Sequence, residues 1–528
     1  MNKKNNIDQN ATAASRRKFL ATIGIGGAAA MTLSTRQLSA ASFSKPSTRY
    51  MVSKDNTEDL VFMSTVKLAE MIRTKKVSSV ELTQAYIDRI EDVNYKLNAV
   101  VMQCYDRALE EAKAADVALK RKQIKGPLHG VPMTLKDSFE AEGVISTGGT
   151  LGRLDYVGKK DATVLARMRA NGAILIGKTN TPEFTLAGGG MRGVRTTGNI
   201  IYGLSKNPYD LKRGTSGSSG GAGSIIAAGG TAFDIGTDWG GSVRLPASTN
   251  GIAGIKPTSI RCPRTGHIVD YGGVFDSWQQ PGPMARRVED LIMLMPLMSG
   301  PDGMDAAVVP MPWPDPAVID IKKLKVAYYP SNLVADTAED TQQAVRDAAK
   351  WMEEAGAEVT EDMPLEIFTE LGEIRRELVG GDGWAFLKRA GDFHGSKTLS
   401  ESIQNRLDTA KPISADRYSE LLSLQDKNRI KMLQWFQKYD VILCPTTATP
   451  AEEIDNGLGS DWTRSKPAAS YCGPYNTTGW PSTVVRCGSS GNLPVGVQCV
   501  AHPWREDVSL AVAQYLESRS GGWKKPMI

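Results

Sequence analysis

Asp238-Trp239-Gly240-Gly241-Ser242-Val243-Arg244-Leu245-Pro246-Ala247 is the stretch on which the reading of this chain turns. A serine behind two glycines sits on a tight turn with unhindered backbone N–H groups. Such donors converge where an oxyanion develops, the largest single contribution in many acyl transfers. Glycine admits backbone angles and a closeness of approach that a side chain blocks. Shortly upstream lies Gly214-Thr215-Ser216-Gly217-Ser218-Ser219-Gly220-Gly221. Apolar strand and helix signals flank this run on both sides, where a flexible Gly/Ser linker is out of place. It lacks the Gly-Lys-Ser/Thr ending of a phosphate-cradling loop. Gly217 to Gly221 satisfies G-x-S-x-G, a pattern that a Gly/Ser-rich run often meets by chance.

A serine nucleophile needs a base. Histidines are scarce (His129, His267, His394 and His502), and none has a local context that suggests a triad. Lysine serves instead when burial keeps it neutral, since desolvation lowers its pKa by up to about 3–5 units. Lys136 ends the apolar strand Gly130-Val131-Pro132-Met133-Thr134-Leu135 and is the natural candidate. The plainer alternative is that Lys136 pairs with Asp137 at the strand end.

Around these motifs the chain alternates helix and strand. Residues 64–122 read as helical, with Ser78-Ser79-Val80-Glu81 as a capping box before Leu82, Tyr86, Ile90 and Val93. Short apolar strands are predicted at Val131–Leu135, Ala173–Gly177, Thr231–Gly236, Leu324–Tyr329 and Val441–Cys444, with a hairpin over 482–500. Residues 365–440 are predicted to form a peripheral helical cap. The pattern predicts one large α/β domain, a central mixed sheet flanked by helices.

The segment Val131-Pro132-Met133-Thr134-Leu135-Lys136-Asp137 resembles the lysine motif of the amidase-signature hydrolases. The G-S-S-G-G run, the D-x-G-G-S-x-R-x-P-A block and Gly254-Ile255-Lys256-Pro257-Thr258 resemble the serine- and glycine-rich signature of that family. Gly177–Phe184, Asn207–Asp210 and Leu493–Gln498 are similar to further family stretches, so the likeness runs from about residue 64 to 517. The resemblance implies the amidase-signature fold and no cofactor or metal. It implies Ser242 as nucleophile, Ser218 after a cis peptide bond as bridge, and Lys136 as base. The N–H groups of Trp239, Gly240, Gly241 and Ser242 would form the oxyanion hole. Asp238 and Arg244 would pair to hold that loop, with Thr237 bonding nearby.

Two places depart from the family pattern. Position 239 commonly carries a small or aliphatic residue and here is Trp239. The stretch Leu186–Arg192 is also less typical. Gly190, Met191 and Trp239 are therefore candidate substrate-pocket residues, and no inherited substrate can be assumed. The Trp239 indole has two destinations, the acyl pocket or the core behind the loop.

The N-terminus reads as an address. Ser15-Arg16-Arg17-Lys18-Phe19-Leu20 has twin-arginine form, an apolar segment Ala21–Leu33 follows, and Ala40-Ala41 offers a cleavage site. We therefore divide the chain into a signal peptide (1–41), an N-terminal extension (42–63) and an amidase domain (64–528), with a periplasmic destination. No later segment has eighteen uninterrupted apolar residues, so no stable membrane anchor is expected. Removing the signal's six basic residues and Asp8 from 63 basic and 58 acidic residues leaves 57 of each. The basic pI thus gives no ground for a nucleic-acid partner. The six cysteines lack zinc-site spacing, and free thiols are expected, with Cys487 and Cys499 the one pair that a late hairpin could bring together.

The expected activity is amide hydrolysis of a small-molecule substrate, and a homodimer is compatible with it. Three other readings stand beside it. An amidotransferase component is opposed by export, a binding protein without catalysis by the intact Lys136, Ser218 and Ser242. An α/β-hydrolase esterase would have to recruit His502.

Overall fold

The computed structural model describes residues 59–186, 196–269, 277–334, 336–454 and 466–528. The segment read as a signal peptide (1–41) therefore lies outside the described residues, and so do Gly190 and Met191. All described residues fall in one compact unit spanning 48–528.

Its first long helix, Ser79–Leu97, begins where the capping box places it. The Ser78 hydroxyl accepts from the Glu81 amide, and the Glu81 carboxylate accepts from the Ser78 amide at 2.8 Å. It stops at Asn98, whose left-handed backbone (φ 48°) ends the helical ladder. The region 64–122 is consequently not all helix. Strand β1 (Val100–Gln103) interrupts it, where β-branched Val100 and Val101 follow the left-handed residue.

Strands β1, β2 (Pro132–Lys136) and β3 (Ile174–Thr179) form a three-stranded sheet in the order β1-β3-β2. β4 (Gly198–Asn199) and β5 (Gly203–Leu204) make a small ribbon. β6 (Phe233–Asp238), β7 (Ala253–Lys256), β8 (Gln280–Ala285), β9 (Lys325–Tyr328), β10 (Glu358–Glu361), β11 (Val441–Pro445), β12 (Ser482–Ser490) and β13 (Leu493–Ala501) complete the main sheet. Their order is β10-β9-β11-β13-β12-β7-β8-β6. β9 pairs in parallel with β10 and β11, and the other pairs are antiparallel, so the sheet is mixed as expected. Side chains stitch β2 and β3 to β6: the Thr134 and Thr179 hydroxyls donate to Asp234 Oδ2 at 2.6 and 3.1 Å. That seam carries the site.

The core extends into the segment read as an extension, since Leu60 and Val61 are buried and Phe62 stacks on Trp523 with centroids 5.5 Å apart. The predicted cap comprises helices Leu365–Leu378, Ala385–Phe393, Glu401–Asp408 and Ala415–Phe436. Its apolar cluster includes Ile374, Leu378, Phe386 and Leu421, and it also takes in Phe184 and Trp278 of the body. All six cysteines are free thiols. The hairpin register puts Thr483, not Cys487, opposite Cys499, and Cys487 itself lies in a bulge four residues further along the strand.

Candidate active site

Lys136 is the last residue of β2 and is fully buried. Its Nζ donates to Ser218 Oγ at 2.7 Å and to Thr237 Oγ1 at 2.9 Å. Burial pushes its pKa down to about 7, with the charges of Asp234 and Asp238 opposing the fall. The alternative pairing with Asp137 does not occur. Asp137 instead accepts from the Thr147 hydroxyl at 2.5 Å and pairs with the buried Lys178 at 3.3 Å.

Ser218 follows a cis peptide bond with Gly217, as the resemblance implied. The next residue joins this loop to the second serine: the Ser219 amide donates to the Ser242 carbonyl at 3.1 Å. No side-chain hydrogen bond links Ser218 and Ser242 among the described residues. Lys136, Thr237, Ser218 and the Ser242 turn are thus gathered at one end of β2 and β6.

β6 delivers that turn. Trp239 to Val243 connect Asp238 to the helix Arg244–Thr249. Gly241 has φ +114°, and a Cβ there would meet Leu245 Cγ at 2.7 Å, so a side chain is excluded on both counts. Asp238 organises the turn from inside. It accepts from the amides of Gly241 (2.8 Å), Val243 (3.2 Å) and Arg244 (3.3 Å), and from the Asn476 amide nitrogen (2.9 Å). Burial alone would raise the Asp238 pKa, but the Arg244 guanidinium and these donors hold it well below the carboxylate range. Of the four amides expected in the oxyanion hole, that of Gly241 thus donates to Asp238. The N–H groups of Trp239, Gly240 and Ser242 are not among the donors to Asp238.

Trp239 is half-buried at the rim of the cap's apolar cluster, 6.2 Å from Trp278 by ring centroids. Several residues here escape a reading of the sequence alone. Asn476 and Gln498 both hold Arg244, at 2.5 and 2.9 Å, and Asp234 lies beneath Lys136. Gln498 belongs to the family-like stretch Leu493–Gln498, which is a usable signal. Asn476 carries none.

The arrangement brings two serine-bearing turns to a fully buried lysine whose pKa burial pushes down to about 7. The Amidase family profile spans residues 81–510. The glutamyl-tRNA(Gln) amidotransferase of Moorella thermoacetica has a component 32% identical over 492 residues, 87% of this chain and 97% of its own. Indoleacetamide hydrolase of Bradyrhizobium diazoefficiens is 33% identical over 469 residues, 87% of this chain and 86% of its own. Among solved structures, 6-aminohexanoate cyclic dimer hydrolase complexed with substrate superposes with a TM-score of 0.77 at 27% identity. It covers 88% of this chain and 99% of its own. The chain belongs to the Amidase family, the amidase-signature hydrolases.

Proposed function

We propose that this chain is an exported amidase that cleaves a carboxylic amide C–N bond through an acyl-enzyme on Ser242. The observation that carries the reading is the 2.7 Å hydrogen bond from fully buried Lys136 to Ser218. Ser242 Oγ attacks the carbonyl carbon and passes its proton to Ser218, whose own proton moves to neutral Lys136. The amides of Trp239, Gly240 and Ser242 receive the negative oxygen. The proton returns along the same path to the leaving amine as the C–N bond breaks. Water then attacks the ester, regenerating Ser242. No cofactor takes part.

Labelling with a fluorophosphonate, followed by peptide mapping, tests this directly. An adduct on Ser242 that Ser242→Ala abolishes supports it, and an unlabelled, correctly folded protein refutes it. Export rests on the twin-arginine box. Changing Arg16 and Arg17 together to Lys should leave the precursor inside the cell, and normal export would remove that part of the reading. The 32% identity to an amidotransferase component supports a second reading, in which released ammonia passes to a partner. Free ammonia or amine produced by the purified chain alone favours hydrolysis.

A further inference from the structure

The helix Leu365–Leu378 sends one side chain from the cap down to the catalytic turn. Arg375 Nη2 donates to the Trp239 carbonyl at 3.3 Å. Its guanidinium lies over two indoles, 5.1 Å from the ring centre of Trp239 and 4.6 Å from that of Trp278. A Cβ on Gly240 would come within 3.0 Å of Nη2, so the cation lies directly on the backbone of the turn. Among the described residues no carboxylate forms an ion pair with Arg375, and its buried Nη1 has no hydrogen-bond partner. Burial and the nearby Arg244 charge push its pKa down to about 10, so it remains a cation at neutral pH.

The two indole faces, the Trp239 carbonyl and the charge of Asp238 offset only part of the cost of holding this cation away from water. The carbonyl it touches belongs to the same peptide as the Gly240 N–H, one of the three amides assigned to the oxyanion. A donor on the carbonyl side of a peptide polarises its N–H. It also fixes the plane in which that N–H points.

Resting on the proposed amidase mechanism, we propose that Arg375 is a positioning residue of the oxyanion hole, holding and polarising the Trp239–Gly240 peptide from the helical cap. Its positive charge then also meets the tetrahedral oxygen once that becomes negative, an interaction stronger in the transition state than in the substrate complex.

The test uses the full-length mature enzyme with Arg375→Met, which keeps apolar bulk between the indoles, and Arg375→Lys, which keeps the charge without the planar stack. Four quantities are measured: kcat and KM on neutral amides and on one amide carrying an acyl-chain carboxylate, affinity for a trifluoromethyl ketone that forms a tetrahedral adduct with serine, and melting temperature. Loss of a direct oxyanion donor costs about 100- to 1,000-fold in kcat, so an indirect contact should cost about 10- to 100-fold. The expected result for Arg375→Met is that loss in kcat, little change in KM, a matching loss of ketone affinity and equal effects on neutral and anionic amides. Arg375→Lys should recover part of it. An unchanged kcat would overturn the proposal. So would a loss confined to the carboxylate-bearing amide, which would make Arg375 a binding residue for substrate anions. A parallel fall in melting temperature and in affinity for substrate and ketone alike would reduce Arg375 to a structural tie. A wild-type enzyme that forms no fluorophosphonate adduct on Ser242 would fail one step earlier, removing the mechanism and this role with it.

Discussion

Asp238 and Arg244 face each other across the turn that presents Ser242, joined by hydrogen bonds of 2.9 and 3.0 Å with both side chains sealed from solvent. Breaking one half of such a pair leaves the other charge buried and uncompensated, which costs about 3–5 kcal/mol. Arg244→Met should therefore lower unfolding free energy by about that amount in urea titration. A loss below about 1 kcal/mol would mean that Asn476 and the turn amides hold Asp238 unaided.

The pH profile should report Lys136. The proton relay requires the neutral amine, whose pKa is pushed down to about 7, so kcat/KM should rise with pH through that region. Groups acting on this lysine are Asp234 and Asp238 from β6, whose negative charges favour its protonated form; burial pushes Asp234 itself up to about 7, so it and Lys136 titrate as a coupled pair. His267 also senses it and is held low at about 3, mainly by burial and then by the lysine charge. Asp234→Asn removes one of the opposing charges, so the acid limb should move to lower pH. A limb unmoved in a folded Asp234→Asn enzyme would break the link between this limb and Lys136.

Lys136 and Ser218 should behave as one unit. Lys136→Ala and Ser218→Ala should each slow acylation by orders of magnitude. The double change should cost little more than the worse single, because groups in one relay are strongly non-additive. Penalties that multiply fully in single-turnover kinetics would show two independent roles.

Trp239 is packed on one side by the cap and opens the turn on the other. Trp239→Ala should lower the melting temperature less than a fully buried indole would, given about 3–5 kcal/mol for that case. It should also shift relative kcat/KM between small and bulky acyl groups. Identical relative rates across an acyl series would remove Trp239 from the pocket.

The parts legible in advance are those written locally. A capping box at Ser78–Glu81, an apolar strand ending in Lys136 and glycines before Ser242 each follow from neighbouring residues. Strand β1 is hidden because Val100 to Gln103 continue an apolar pattern, and only the left-handed Asn98 interrupts it. Asn476 meets Arg244 from 232 residues away, a contact that no local pattern records. Arg375 beside Arg376 looks like ordinary charge on an amphipathic helix. Its place over two indoles depends on how the cap docks, which is tertiary information. The Gly241 amide is easily assigned to the oxyanion hole because a glycine-rich turn shows its donors but not which acceptor claims each one.

The clasp of Arg244 by Asn476 and Gln498 also sets an order of manufacture. Lys136, Ser218 and Ser242 are all synthesised before Asn476 and Gln498, so the turn that carries Ser242 waits for two residues near the far end of the chain. A chain ending at residue 470 would contain Lys136, Ser218 and Ser242 and lack both side chains that hold Arg244.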